Sequence, residues 1–312
     1  MADEVISYLS IKQGGVYIDC TVGGAGHSLL ILDKLYGKDA VLIGIDRDES
    51  AVAVSASRLN ARNAELGGAV RIETAHSNYS DIDKICKERG IRKADGILFD
   101  LGVSSHQLDE AERGFSFQRD AALDMRMDRR DAVTAADIVN GRTEGELAEL
   151  LLKYGEERWA ARIAKLIAVR RATKPIRTTY ELVEAVLAAI PRNMRKGGVH
   201  PATKTFLALR IATNSELATL EDSIVKSAGL LKAGGRLCVI GFHSLEDRIV
   251  KNAIRDLSSG CVCPKSLPVC VCGRKPALRQ ITRKPVAPRA EELSGNPRAR
   301  SAKLRVAEKI ND

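Results

Sequence analysis

Aromatic side chains are scarce in this chain of 312 residues. They make up 4%, with a single tryptophan. That excludes an extended platform on which successive bases of a single strand stack. No apolar run approaches the ~18–20 residues that span a bilayer. The N-terminus, MADEVISYLS, is acidic and lacks the basic-then-apolar order of a secretory leader. A cytoplasmic chain with no membrane partner is therefore expected. Internal repeats and low-complexity tracts are also missing. What is present suits a globular protein: hydrophobic residues reach 45% and charged residues 29%. Wholesale disorder is excluded, and a core can be buried without disulfides. The length is about twice the ~150 residues of one domain.

The formal net charge is +9, unevenly placed. Residues 158–204 carry 11 Lys/Arg against 2 Asp/Glu, and residues 273–312 carry 11 against 4. Residues 107–157 run the other way, with 7 against 13. Clustered cations neutralise phosphates and release counterions, which points to nucleic acid. Two solvated faces are the alternative. The candidates for phosphate contact are Arg170, Arg171, Lys174, Arg177, Arg192, Arg195 and Lys196. Arg283, Lys284, Arg289, Arg298 and Arg300 form a second group near the C-terminus. Such contacts position a nucleic acid rather than read its sequence.

The seven cysteines are uneven too. Cys20, Cys86 and Cys238 stand alone among apolar residues and are expected in the core. The other four form Cys261-x-Cys263 and Cys270-x-Cys272. They are candidate ligands of a structural zinc. Zinc ribbons favour two residues between paired cysteines, so unliganded surface thiols and a redox pair remain alternatives.

Strands are predicted over 16–18, 41–45, 70–73 and 96–99, alternating with helices over 27–36, 49–66 and around Ile85. Near-continuous apolar strands between helices imply a parallel sheet covered on both faces. A fifth strand follows at 237–240, about 135 residues later. Phe206, Leu209, Leu217, Leu220 and Ile224 recur at helical spacing and read as the helix before it. The fold class is thus α/β. Residues 1–106 and 201–312 form the core, and 107–200 an inserted helical domain for substrate recognition. Within the insert, Trp159, Ile163, Leu166 and Ile167 form one apolar stripe, which favours Trp159 as a core residue over a base-stacking platform. Leu182, Val183, Val186, Leu187 and Ile190 form another, opened by the capping box Thr178-x-x-Glu181 and stopped before Pro191. The acidic, arginine-rich run 109–131 reads as an ordered loop. A helix over 245–257 and a strand pair, 278–286 with 302–310, close the chain.

Asp19, Asp46 and Asp100 end successive strands, where an open parallel sheet binds its ligands. Gly23-Gly24-Ala25-Gly26 follows the first strand, and Asp46 lies where an acid accepts hydrogen bonds from ribose hydroxyls. The turn is not the G-x-G-x-x-G of a dinucleotide site. An acid before it suits a cofactor carrying an ammonium group, as S-adenosylmethionine (SAM) does. A nicotinamide dinucleotide, or acids that merely cap helices, are the weaker readings.

Several segments carry a resemblance: DCTVGGAGHS, GIDRDESA, HSNYSDI, DGILFDLGVSSHQLDEAERGFSFQRDAALDMRMD, GEERWAARIAKLI, HPATKTFLALRIATNSEL, GGRLCVIGFHSLEDRIVK and RKPVAPRAEELSGNPRARSAKLRVAEK. In this order, over nearly the whole chain, they resemble the bacterial RsmH (MraW) family, small-subunit ribosomal RNA cytosine-N4 methyltransferases. The resemblance implies a Rossmann-like class I SAM-dependent methyltransferase core with an inserted helical domain. It implies methyl transfer to the exocyclic N4 amine of one cytidine in the decoding centre of 16S rRNA, within the small ribosomal subunit. A homodimer is one assembly left open. The cofactor contacts it implies are Ala25, Gly26, His27, Asp46, Tyr79, Asp100 and Gln107. Ala25 stands where many relatives have glycine, a mild change because its N–H remains. The His-x-Pro-Val-type segment that precedes the first helix in relatives is lacking.

A cytosine N4 amine is a poor nucleophile, because its lone pair is delocalised into the ring. The enzyme must hold it in line with the methyl group and accept hydrogen bonds from its N–H groups. Asp100 and the Ser104-Ser105-His106-Gln107 stretch are where such acceptors would sit. His243, after the fifth strand, is a second catalytic candidate as proton acceptor; a backbone hydrogen bond is its other role. His200 either faces substrate or caps a helix. A SAM-dependent enzyme acting on another nucleic acid and a non-catalytic RNA-binding assembly factor are the alternatives.

Overall fold

The structure is a computed structural model. It describes all residues except Lys38, Lys196, Gly197, Val262, 265–268, Cys270 and Asp312. The chain divides into two compact units, one made of Met1–Gly102 with Leu217–Asp312 and the other of Val103–Glu216.

The first unit begins with helix α1 (Ala2–Leu9) and strand β1 (Val16–Asp19), then α2 (Gly26–Leu32), β2 (Val41–Asp46), α3 (Glu49–Glu65), β3 (Arg71–His76), α4 (Ile82–Glu88) and β4 (Ala94–Asp100). The second unit holds α5 (Ser105–Asp109), α6 (Ala135–Gly141), α7 (Glu144–Gly155), α8 (Ala160–Thr173), α9 (Thr179–Ala189) and α10 (Thr203–Asn214). The chain then returns through α11 (Leu220–Leu230), β5 (Leu231–Gly241), α12 (Ser244–Ser258), β6 (Leu278–Gln280), α13 (Ala290–Gly295) and β7 (Lys303–Lys309).

The strands form one seven-stranded sheet in the order β3-β2-β1-β4-β5-β7-β6. β1 to β5 are mutually parallel, and β7 runs antiparallel to both β5 and β6. This is the Rossmann-like α/β core expected, with its closing strand pair. The strands are buried because both faces are covered. Ile18, Ile43, Ile97, Phe99 and Val239 pack on one side with α4, α11 and α12. Tyr17, Leu42, Leu98 and Ile240 pack on the other with α1 and α2. The order of strands reverses between β1 and β4, so a crevice opens at their carboxyl ends. Asp95 fixes the opposite end of the sheet: it accepts from the Val16 N–H at 2.9 Å and from Lys232 Nζ at 2.6 Å.

The second unit is a helical bundle around Phe115, Met125, Leu147, Ile163, Leu182 and Phe206. Four of its helices carry capping boxes, at Ser104, Thr134, Thr143 and Thr178. The 109–131 run is ordered. The Arg113 guanidinium is buried and donates to the carbonyls of Arg126 and Met127 at 3.0 and 2.9 Å.

Two expectations change and a third is qualified. The helix read through Phe206 to Ile224 is two helices. Ser215 adopts a left-handed conformation, φ 49°, that ends α10, and Arg210 forks onto Glu216 at 2.8 Å. Phe206 and Leu209 consequently lie in the helical unit's core, with the observed unit boundaries at 102/103 and 216/217. Trp159 packs against the helical core as read but is only half-buried: it stands just before α8 under the Arg158 guanidinium, 5.3 Å from the ring centroid. It borders a cleft of about 470 Å³ lined also by Pro191, Asn193 and Met194. Periodicity reports which face of a helix turns inward, and the ends of helices escape it.

Candidate functional site

β1 ends at Asp19 and the chain turns through Val22, whose N–H donates to the Ile45 carbonyl at 2.9 Å. Val22 passes so close to β2 that a Cβ on Gly44 would lie 2.8 Å from its side chain. Glycine at 44 is therefore what lets the turn lie over the sheet edge. The turn then delivers Ala25 in the left-handed region, φ 65°, directly before α2. Ala25 is fully buried. A Cβ there costs about 1 kcal/mol relative to glycine, so the departure is less mild than its retained N–H suggests.

Three carboxylates meet this turn. Asp19 is buried and accepts from Ser28 Oγ at 2.7 Å and from the Thr21 N–H at 3.1 Å. Burial raises its pKa above the ordinary carboxylate value, against the pull of Ser28 and His27. Asp46 accepts from the N–H of Gly23 at 2.8 Å and of Asp48 at 2.9 Å. Even so, burial pushes its pKa up to about 6. Asp100 faces His27: its Oδ2 lies 3.3 Å from His27 Nδ1. Its Oδ1 is buried with no hydrogen-bond partner among the described residues. Burial alone would lower the His27 pKa, but the hydrogen bond and charge of Asp100, helped by Asp19, hold it above its usual value. The Asp100 N–H donates to Thr21 Oγ1 at 2.6 Å, which ties β4 to the turn.

Tyr79 follows β3 and sits edge-on to Phe99, with ring centroids 5.5 Å apart. Asp19, His27, Asp46, Tyr79 and Asp100 thus stand at the carboxyl edge of one sheet. Ser28 and Thr21, which hold the Asp19 carboxylate, were not singled out from the sequence; their hydroxyls spaced behind Asp19 were the available signal. Gln107 belongs to the helical unit. There it is buried and closes the capping box with Ser104, accepting from the Ser104 N–H at 3.1 Å.

His243 caps α12. Its Nδ1 accepts from the Glu246 N–H at 3.4 Å, and its Nε2 lies 3.1 Å from Glu246 Oε1. A ring that already accepts at Nδ1 must break the cap to take a proton there. His200 is likewise a local cap: its Nδ1 accepts from the Ala202 N–H at 3.2 Å, and its ring packs on Phe117.

The basic candidates divide in the same way. Arg170 pairs with Glu184 at 3.1 Å and Lys174 with Glu181 at 2.6 Å. Arg171 donates to the Val139 carbonyl, and Arg195 to the carbonyls at the end of α9. Arg289 lies 3.4 Å from Glu4. Arg177, Arg192, Arg283, Lys284, Arg298 and Arg300 are exposed, and Lys196 lies outside the described residues. The Sγ atoms of Cys261, Cys263 and Cys272 lie within 4.8 Å of one another, and Cys270 lies outside the described residues.

A row of acids at this edge suits a ligand that is cationic and rich in N–H and O–H donors. The unpartnered Asp100 oxygen is an acceptor still to be satisfied. SAM, with a sulfonium, an ammonium and two ribose hydroxyls, fits that donor requirement.

Comparison with known proteins agrees. A family model described as "MraW methylase family" matches residues 1–310. The "Ribosomal RNA small subunit methyltransferase H" of Clostridioides difficile is 50% identical over 310 residues, 99% of this chain and 97% of that one. The proteins of the same name from Geobacter sp. and Citrifermentans bemidjiense are 53% and 52% identical, over the same shares of each chain. Among the described residues no helix is long and apolar enough to cross a membrane.

Proposed function

This chain belongs to the MraW methylase family, and from that premise we propose that it methylates the N4 amine of a cytidine in 16S rRNA, using SAM. The substrate in this reading is the rRNA of the small ribosomal subunit, in the cytoplasm. Whether the working species is a homodimer is checked by sedimentation. The row of acids at the ends of β1, β2 and β4 carries the reading, and above all the buried, unpartnered Oδ1 of Asp100.

SAM supplies an electrophilic methyl group on sulfur. The chain's own residues do the rest. Asp46 would accept from the ribose hydroxyls, and Tyr79 would stand beside the adenine. The backbone of Ala25, Gly26 and His27 and the carboxylate of Asp19 line the amino-acid end. His27 holds one oxygen of Asp100 and leaves the other to accept an N–H of the target amine. That hydrogen bond would draw the amine lone pair out of the ring for attack on the methyl group that SAM would supply, the thioether being the leaving group. The proton then left on the nitrogen passes to Asp100 or to water. Holding both reactants in line could contribute ~7–11 kcal/mol. Gln107 and His243 are assigned to positioning through their caps. The target cytidine must leave its stack to reach a crevice of this kind, and the exposed cations, such as Arg192, hold phosphates.

Incubation with labelled SAM and three substrates tests this: assembled small subunits, naked rRNA and DNA. N4-methylcytidine recovered from digested rRNA is the expected result. Label on DNA alone would move the enzyme to another nucleic acid. No label on any substrate, with rRNA still bound, would make the chain an assembly factor.

A further inference from the structure

Three cysteines converge in a stretch whose described residues form no core of their own. Residues 259–277 join α12 to β6, and among those described none is buried. Val269 and Val271 are 71% and 77% exposed. The ends of the loop are pinned: the Arg274 guanidinium donates to the Asp256 carbonyl, and the Ala277 N–H to the Leu257 carbonyl at 2.8 Å. Between these pins stand the three sulfur atoms, with Cys261 and Cys272 3.8 Å apart. Cysteine is among the residues most often buried. Cys20, Cys86 and Cys238 follow that habit, whereas Cys261 and Cys272 are exposed and Cys263 is half-buried. Burial therefore does not explain why these three meet.

Two chemistries gather thiols. A disulfide joins two sulfurs at about 2.05 Å, well short of the 3.8 Å between Cys261 and Cys272. A tetrahedral zinc site with Zn–S bonds of ~2.3 Å sets its sulfurs about 3.8 Å apart, which is the Cys261–Cys272 separation. The donor set is sulfur throughout, and soft thiolates select zinc over hard cations. The Cys263 N–H donates to Cys261 Sγ at 3.3 Å, a bond that steadies a thiolate ligand.

We propose that Cys261, Cys263 and Cys272 ligate a structural zinc ion that folds the loop between α12 and β6. Cys270 lies outside the described residues, and the assignment rests on the other three. Each thiol gives up its proton on binding, so loading weakens as pH falls. The ion does for this loop what a hydrophobic core does elsewhere. Its place in the fold separates it from the reaction. β6 pairs with β7 so that Leu278 faces Lys309, while Arg236, near the start of β5's paired stretch, faces Glu308. The loop enters β6 at that level, at the amino edge of the sheet, opposite the acids at the carboxyl edge.

The test begins with the full chain, grown with zinc and purified under reducing conditions. About one zinc per chain is expected. Cys261→Ser with Cys272→Ser should lose it, and Cys86→Ala, in α4, should keep it. Cobalt(II) in place of zinc should give the absorption of a thiolate-rich tetrahedral site in the natural chain. This second measurement needs no variant to fold. Stripping the metal should leave SAM affinity unchanged within about twofold. A natural chain that carries under about a tenth of a zinc and takes up no cobalt overturns the proposal. So does undiminished zinc in the double variant, or loss of SAM binding on stripping.

Discussion

The acids at the carboxyl edge of the sheet and the acids of the helical unit are treated in opposite ways. In the first, burial raises the pKa of Asp19 and Asp46, and one oxygen of Asp100 is orphaned. In the second, acids are lowered. Asp124, though half-buried, is held low by the Arg126 fork at 2.8 and 2.7 Å. Thr134 does the same for Asp137, and Lys174 with the Arg177 and Thr178 N–H groups brings Glu181 down to about 2. An acid given enough partners stabilises the fold. An acid whose desolvation outweighs its partners costs stability, and such a group marks a candidate functional site. The contrast separates site from scaffold among residues of one chemical type.

The sharpest way to break that contrast is at Asp100. Asp100→Ala should lower methyl transfer by about 10²-fold or more, with little change in unfolding midpoint. A large loss of stability with unchanged transfer would place Asp100 among the structural acids. Asp124→Ala should do the reverse. It strands Arg126, whose guanidinium also donates to the carbonyls of Arg129 and Asp131. A loss of about 2 kcal/mol in urea unfolding is expected, with SAM affinity unchanged. Asp46→Asn is the subtlest. SAM binding should weaken about tenfold, measured by calorimetry, while the ligand-free chain gains about 1 kcal/mol at neutral pH. The sign follows from a folded pKa of about 6 above an unfolded value of about 3.9. The folded state binds the proton more tightly, so no penalty exists at pH below both values. The penalty grows as pH rises from about 4 to 6 and is constant above. The advantage of Asp46→Asn should therefore appear over that window, and an advantage independent of pH would refute the burial argument.

Much of this was legible in the residues. Asp19, Asp46 and Asp100 could be placed at strand ends because apolar runs mark parallel strands and their ends. The Thr178-x-x-Glu181 box was found as read. The same pattern lies in His243-x-x-Glu246, but a histidine near a cofactor edge invites a catalytic reading over a capping one. The break at Ser215 has no signal in hydrophobic periodicity, since Leu217 and Leu220 continue the stripe. Ser28 reaches Asp19 only because the turn and α2 fold back over β1. The departure at Ala25 could be seen in the sequence, while its cost needed the left-handed φ.

The sequence alone determined the alternation of strand and helix, the acids at the strand ends and the family, because side-chain pattern and local propensity act over neighbouring residues. Only the tertiary structure decided which carboxylates keep partners and which do not, and that three cysteines meet. Desolvation and pairing depend on atoms brought close from distant parts of the chain.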